Sequence, residues 1–516
     1  MLGKLEYNLI KIKVGWQEYG MVFGFEEYFM EINNIYDMIS VCFGLLKDNI
    51  NNHQVFIGEY VSEGEEGQKN PNLGVLNCFA EKVMAIMRKY EPSGFIEVRD
   101  EILEEAKKLQ ISDFQDELWN RLTVVYHILS AIDAEAMHWD VGRMHRTLGP
   151  LDRQRKTPYR VYFSPKETIH KGFVENVGRE RTGSSNFFEH FNCFRFVDER
   201  KWKENCEVPQ VYYTSVSKEQ KEEFLEKSKL KIAVLPVSSE RNFDFVSKLG
   251  ASLRVDYFAI QQEAEANQIC QCVVKAIEEG AHIIILPEYI ASPKISEKIK
   301  CSLREMNRRM QGKENLLLVF AGSTWTEEDN NVMQILDARG MVLGEYYKYS
   351  AFTQRSSDGH GFTVHEALSC PGKCCDVVGV EGIGLILPAI CRDVIDGEYT
   401  EELVKMLLPV LVAIAAWSPS VASFKPRLEE LANKYFASAV LCNACSAVDT
   451  EKENIGLASI VTKKKTIVGC DKVVIKREQC IGRCGAVPCI YFLEYDFGYE
   501  NSKKRPQLTS YKYCER

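Results

Sequence analysis

A chain of 516 residues is too long for one ordinary core, so more than one domain is expected. Hydrophobic residues make up 45% and charged residues 27%, an ordinary globular composition, and a net charge of −9 carries no overall signature of nucleic-acid binding. No apolar run reaches the roughly 20 residues that span a bilayer; the longest, Leu403 to Trp417, is shorter and contains Lys405.

The first residues, MLGKLEYNLIKIKVGWQEYG, lack an apolar core followed by a small-residue cleavage site. No signal peptide is expected, and the reading is a cytoplasmic protein without membrane association. The 18 cysteines are then read mostly as small, buried, reduced residues. Three groups could still ligate a metal: Cys370 with Cys374 and Cys375, Cys442 with Cys445, and Cys480 with Cys484 and Cys489. None pairs two clean CxxC knuckles, and Cys442 and Cys445 lie in an apolar, strand-like run, so no metal is expected.

Residues 1–138 read as a mainly helical domain. VMAIMRKY, VRDEILEEAKKL and DELWNRLTVVYHILSAIDAEA place apolar residues three and four apart. The polar stretch from Asn51 to Gly74 reads as a loop or linker. A basic, aromatic-rich segment and a linker helix follow over residues 139–228. Between 139 and 203 there are 14 Lys or Arg against 8 Asp or Glu, a net of +6 that leaves −15 for the rest of the chain. Arg143, Arg146, Arg153, Arg155, Lys156 and Arg160 are interleaved there with Tyr159, Tyr162, Phe163, Phe187, Phe188, Phe191, Phe194 and Trp202. Two readings stand: a basic face packed on the acidic remainder, or contact with nucleic acid through phosphates and stacked bases. The first is preferred, because no nucleic-acid-binding motif is present. SVSKEQKEEFLEKSKL, residues 215–230, reads as a polar helix.

From LKIAVLPV onward, apolar strands alternate with helices, the pattern of an α/β domain. QQEAEANQICQCVVKAIEEG is an amphipathic helix stopped at Gly280. AHIIILPEY, LLLVFAGSTW, QILDARGMVLGEYYK, IGLILPAICRD and VLVAIAAWSPS read as strands. Three of them run into a chemically potent residue: Glu288 after IIILP, Lys348 after GEYY, and Cys391 after GLILPAI. Functional groups gather at the carboxyl ends of strands in α/β sheets, although each residue alone could be ordinary packing or a solvated charge.

Together and in this order, LKIAVLPV, LPE, GEYYK and GLILPAICRD resemble the nitrilase superfamily of amidases, nitrilases, carbamoylases and ureidopropionases. AAWSPS, ANKYFASAVLCNACSAV and IYFLEYDFGY are similar to its later segments. The resemblance covers residues 229–499 and leaves 500–516 as a tail. It implies an α/β fold, the nitrilase-type α-β-β-α sandwich, with the mainly helical N-terminal region as an addition. It also implies catalytic Glu288, Lys348 and Cys391, an oxyanion contact from the Arg392 backbone N–H, and Tyr289, Trp417 and Ser418 near the substrate. The step from Lys348 to Cys391 is longer than is usual in the family, with the excess in TQRSSDGHGFTVH. Glu366, before Pro371-Gly372, is the candidate for the second carboxylate that many members carry.

The implied reaction is hydrolysis of an amide, carbamoyl or nitrile C–N bond through a thioester, with no cofactor and no metal. The resemblance further implies a homodimer or larger oligomer. The alternative is a nitrilase-like sensor or effector subunit of a larger assembly, engaging a protein partner through the N-terminal region. Nitrilase-like domains occur in antiviral defence fusions with reverse transcriptases, but this chain lacks a Tyr-x-Asp-Asp motif.

Overall fold

The computed structural model describes residues 35–50, 56, 72–89, 95–109, 117–136, 157–164, 191, 193–202, 207–214, 216, 220, 229–237, 243–248, 252–257, 262–311, 315–355, 363–448, 454–464, 467–476, 489–496 and 507–512. Two units are distinguished, one of Met1–Phe163 with Glu175–Arg200 and one of Ser164–Val174 with Lys201–Arg516.

In the first unit, helices α1 (Ile35–Asn49), α2 (Leu73–Lys89), α3 (Phe95–Lys107) and α4 (Glu117–Ala136) accompany an antiparallel pair, β1 (Tyr159–Phe163) and β2 (Phe194–Asp198). On α2 the buried Leu76, Phe79, Val83, Ile86 and Met87 recur at helical spacing, so one stripe turns inward. Helix α2 begins inside the stretch expected to be a loop, and Phe56, within that stretch, is itself buried, edge-on to Trp119 and Tyr126. Phe43 of α1 stacks on Phe196 with ring centroids 3.7 Å apart and meets Tyr159 edge-on at 5.1 Å.

Tyr159, Tyr162, Phe163, Phe191 and Phe194, candidates for base stacking, are therefore core residues. Their faces are occupied by each other and by α1. Arg160 of the basic run pairs with Glu199 at 3.1 Å. Arg143, Arg146, Arg153, Arg155, Lys156, Phe187 and Phe188 lie outside the described residues, as does nearly all of the 215–230 helix.

The second unit opens with β3 (Gln210–Thr214) and continues through β4 (Lys229–Val234), β5 (Phe243–Lys248), β6 (Ser252–Tyr257), α5 (Gln262–Glu278), β7 (Ile283–Ile285) and α6 (Pro293–Met310). Strands β8 (Leu318–Trp325), β9 (Asn331–Asp337), β10 (Val342–Tyr347), β11 (Thr353–Arg355), β12 (Thr363–Glu366), β13 (Asp376–Val380) and β14 (Gly384–Ile390) follow. Then come α7 (Arg392–Asp396), α8 (Glu398–Leu407), β15 (Leu411–Ala416), α9 (Phe424–Lys434), β16 (Ser438–Asn443), β17 (Asn454–Lys464), β18 (Ile467–Lys476), β19 (Tyr491–Asp496) and β20 (Gln507–Lys512).

These strands build two seven-stranded sheets, β10-β9-β8-β7-β4-β19-β20 and β18-β17-β16-β15-β14-β13-β3. Each has three central parallel strands, β4-β7-β8 and β14-β15-β16, flanked by antiparallel neighbours. Every residue of β14, β15 and β16 is buried, which is why these segments read as continuous apolar runs rather than alternating ones. Helices α5 and α6 cover the first sheet through Ile269, Val273, Ile295, Ile299 and Leu303. Helix α9 lies against β16–β18 and α8 against β14 of the second sheet. The sheets approach each other where β15 meets β7 and β8, and where Tyr346 of β10 bridges to Cys375 before β13.

Four segments of this unit differ from the sequence reading. Within 500–516, read as a tail, β20 pairs with β19, and within 139–228, read as a basic segment and linker helix, β3 pairs with β13. QILDARGMVLGEYYK is a hairpin, β9–β10, not one strand. Asp337 Oδ1 closes it by accepting the N–H groups of Arg339 and Met341 at 2.9 and 2.8 Å. The TQRSSDGHGFTVH excess contributes strands. Its described ends are β11 and β12, which join β6 and β5 in a four-stranded sheet ordered β11-β12-β6-β5.

Candidate active site

Strand β7 is only three residues long, and the chain turns sharply after it. Tyr289 takes a left-handed φ of 61°, and the Glu288 N–H reaches the Ala416 carbonyl at the end of β15, on the other sheet, at 3.3 Å. The turn needs room beside it. Gly322 of β8 has φ +72°, and a Cβ there would lie 2.4 Å from the Pro287 carbonyl oxygen, so only glycine fits. Lys348 is aimed by a comparable close approach. Gly344 lets β10 bulge onto Asp376, whose Cβ would be 2.6 Å from an added Cβ, and Asp376 Oδ2 accepts the Glu345 N–H at 2.8 Å. The Lys348 N–H is then held by the Asn331 carbonyl at 2.9 Å.

Cys391 follows β14 at φ 43°, ψ −100°, a conformation that costs a non-glycine residue of the order of 1–3 kcal/mol. Its N–H donates to the Ala415 carbonyl at 2.8 Å. Asp393, two residues on, fixes the opposite loop. Its Oδ1 accepts the N–H groups of Tyr349 and Ser350 at 3.0 and 2.6 Å, and its Oδ2 accepts the Tyr346 hydroxyl at 2.9 Å. One carboxylate thus ties the residues after Lys348 to the residues after Cys391.

Glu288, Lys348, Glu366 and Cys391 come together in one buried cluster, with exposures of 1, 1, 5 and 7%. Lys348 Nζ lies 2.7 Å from Glu288 Oε1 and 2.7 Å from Glu366 Oε2. Asn331 donates from the other side, Nδ2 reaching Glu288 Oε1 at 2.9 Å and Glu366 Oε1 at 3.2 Å. Glu288 Oε2 accepts the Trp417 N–H at 3.0 Å. Glu366 accepts the Tyr289 hydroxyl at 2.6 Å and the Phe352 N–H at 2.8 Å. The Cys391 thiol lies within the influence of both groups, Glu288 raising its pKa and the Trp417 N–H lowering it.

Burial pushes the Glu288 carboxyl above the usual carboxylate range, Lys348 pulls against it, and the Glu366 charge adds to the rise. Burial, then the Glu288 charge, raises the Cys391 thiol well above its ordinary value. Burial would lower the Lys348 ammonium, but the charges of Glu288, Glu366 and Cys391 outweigh it and the net shift is upward. The Cys391 thiol therefore sits beside a Lys348 ammonium shared by the carboxyl groups of Glu288 and Glu366. Such a group can pass the thiol proton to Glu288 and present a cation to a developing oxyanion.

The remaining sequence candidates fall at different distances from this centre. Tyr289 and Trp417 touch it as described. Ser418 does not: its hydroxyl donates to the Ser420 carbonyl at 2.7 Å, while Asn443 grips its backbone N–H and carbonyl at 2.8 and 2.9 Å. The Arg392 guanidinium turns to Asp396 at 3.0 Å, leaving only its backbone relevant. Sequence reasoning missed Asn331, Asp393 and Asn443. Asn331 and Asn443 sit at strand ends, where asparagine reads as a turn residue. Asp393 alone carried a signal, its place in ICRD. Among the described residues no group of three His, Cys, Asp or Glu is placed to hold a metal ion, and no helix is long and apolar enough to cross a membrane.

No family model matches the chain, and no curated protein matches it. Solved structures do. One is an amidase from Nesterenkonia sp. AN1 carrying the acetamide moiety of fluoroacetamide on its active-site cysteine, with 12% identity over 48% of this chain and 91% of that one, and a TM-score of 0.32. Saccharomyces cerevisiae Nit3, a member of branch 10 of the nitrilase superfamily, matches at 13% identity over 49% of this chain and 94% of its own, with a TM-score of 0.32. The C. elegans NitFhit protein matches at 15% identity over 48% of this chain and 61% of its own, with a TM-score of 0.33. The second unit thus carries an α/β fold of two seven-stranded sheets with helices against them, accompanied by a helical N-terminal region.

Proposed function

We propose that residues 229–499 are a cysteine-dependent carbon–nitrogen hydrolase domain that cleaves a small amide, carbamoyl compound or nitrile through a thioester. The observation that carries this reading is Lys348 Nζ at 2.7 Å from both Glu288 and Glu366, with the buried Cys391 thiol under the influence of the Glu288 charge. Amides are poor electrophiles, and only a thiolate attacks them readily. For an amide, Glu288 takes the thiol proton as Cys391 Sγ bonds to the carbonyl carbon. The oxygen, now negative, is held by the Lys348 ammonium and the Arg392 N–H. Glu288 returns its proton to the nitrogen, the C–N bond breaks and ammonia or an amine leaves. Water then adds to the thioester, giving its proton to Glu288, and the acid departs as the thiol reforms. The raised Glu288 carboxyl suits a group that must both accept and donate. Glu366 holds Lys348 from the far side and keeps it charged.

Purified full-length protein should release ammonia from at least one member of an amide, carbamoyl and nitrile panel. Rapid quenching should trap an acyl mass increment on the peptide containing Cys391. Ammonia release that survives Cys391→Ala would refute the assignment. The second reading, a sensor or effector subunit, is favoured by the near-complete burial of all four groups, which suits a site opened only by a trigger.

A further inference from the structure

We infer that the hairpin β5–β6 is the specificity cap of this site, and that Phe243 and Phe245 select a substrate whose acyl part is uncharged and apolar. The chemistry rests on the hydrolase reading above, but the cap stands on its own observations. Phe243 packs on Tyr289 at 5.3 Å and on Trp417 at 5.6 Å between ring centroids. Phe245 packs on Tyr289 at 5.6 Å, on Trp417 at 5.4 Å and on Phe352 at 6.4 Å. Each of those three partners also supplies a hydrogen bond to Glu288 or Glu366. The cap rings therefore lie against the residues that hold the reacting carboxylates. Trp417, whose N–H donates to Glu288 at 3.0 Å, brings this aromatic wall to the reacting groups.

The cap is also fastened to the machinery through its backbone. Strand β6 runs parallel to β12, with Leu253 opposite Glu366, and the Ala367 N–H donates to the Leu253 carbonyl at 2.8 Å. Along β5 the side chains alternate: Phe243 is buried, Asp244 exposed, Phe245 half-buried and Val246 exposed. Both rings thus face the site, as a strand period of two requires. Val255, Trp325, Tyr257 and Leu368 complete the cluster and add no charge.

This composition discriminates by charge. Lys348 is already shared between two carboxyl groups, so a substrate acid group would meet their charge and aromatic carbon, and among the described residues of this cluster none is a cation. That is costly in a dry site. An alkyl or aryl acyl group instead gains with each methylene it buries. With Cys391 only 7% exposed, the half-buried Phe245 is the ring that an incoming substrate displaces.

The test uses full-length protein and aldehydes, which report the acyl subsite without turnover. Sγ adds to the aldehyde carbon and the thiol proton goes to its oxygen, forming a reversible hemithioacetal that protects Cys391 from iodoacetamide. Protection is read by mass spectrometry for acetaldehyde, hexanal and succinic semialdehyde. Hexanal should protect at a concentration at least about tenfold below either of the others, given the burial of its extra methylenes. Phe245→Ala should reduce that preference to less than about threefold, whereas Phe245→Leu, which restores apolar bulk and guards against a folding defect, should retain most of it. Protection without preference for hexanal, or a preference unchanged in Phe245→Ala, would overturn the cap alone. No protection by any aldehyde would overturn the cap together with the reactive cysteine. Preference for hexanal in a protein that releases no ammonia from any panel member would leave the cap standing and remove the hydrolase reading.

Discussion

Asn331 offers the sharpest test of how the carboxylates are tuned. It is wholly buried, and its Nδ2 donates to Glu288 at 2.9 Å and to Glu366 at 3.2 Å. Replacement by leucine keeps the volume and removes both bonds. A hydrogen bond to a charged acceptor contributes about 1.5–3 kcal/mol, so the pair is worth roughly 3–5 kcal/mol, with the longer bond at the lower end. Against this, Asn331 Oδ1 is buried without a partner, and deleting such an atom relieves roughly 1–3 kcal/mol. The net expectation for Asn331→Leu is a loss of about 2 kcal/mol in stability. The kinetic consequence follows from the bond to Glu288 alone. That bond favours the ionised carboxylate, so its removal raises the Glu288 pKa further. The acid limb of kcat/KM should therefore move to higher pH. Denaturant titration and a pH–rate profile on the best panel substrate measure the two effects. An acid limb that stays in place or moves down would refute the tuning argument. A gain in stability would mean that the unpartnered oxygen outweighs both bonds.

Cys391→Ala and Lys348→Ala should each abolish turnover, and the double variant should be no slower than either single one, because both act in one covalent step; additive losses in single-turnover rates would argue against a shared step. Lys348→Met should also destabilise the fold by about 3–5 kcal/mol, since it leaves two buried carboxylates without their cation, and an unchanged melting temperature would contradict the charge assignment. Burial raises Asp393 to about 7, opposed by its backbone and Tyr346 donors, so folding takes up a proton between the unfolded value near 4 and pH 7. Its stabilising contribution is present below pH 4 and is lost as pH rises to 7. Asp393→Asn, which mimics the protonated form, should flatten this part of the stability profile, and calorimetry across pH 4–8 would detect a slope that persists. Tyr289→Phe deletes a 2.6 Å bond to Glu366 and should cost about 1.5–3 kcal/mol in chemical denaturation, whereas a cost below about 0.5 kcal/mol would mean that the bond contributes nothing net.

Much of the second unit was legible because parallel strands covered on both faces leave an unmistakable apolar signature. Each such run, from IIILP to GLILPAI, also stopped at the residue that the fold brings to the centre. Glu366 was harder to place. It sits far along the chain from Lys348, and only the pairing of β12 with β6 carries it back to within 2.7 Å. Asn331 and Asn443 were invisible for another reason, and Asp393 was marked only by its place in ICRD. Their importance lies in which backbone groups and carboxylates they meet across the sheets, and no local pattern encodes those meetings. The aromatic run after residue 158 left two readings open. Alternation of aromatic and basic residues is shared by base-stacking surfaces and by two-stranded ribbons packed on a helix, and here Phe43 and its neighbours claim the rings.

The crossing of β10 from the edge of one sheet onto β13 of the other has a consequence for how the molecule acquires its chemistry. Glu288 belongs to one sheet, Cys391 to the other, Lys348 to the strand that leaves the first for the second, and Glu366 to a third sheet. No single hairpin or βαβ unit contains even two of these groups. Contacts so distant along the chain close late and slowly, after the entropy of long loops has been overcome. A half-assembled domain should accordingly hold secondary structure but no reactive thiol. The chemical reactivity of Cys391 should thus appear during refolding only with the final docking of the sheets, making this one side chain a reporter of the completed fold.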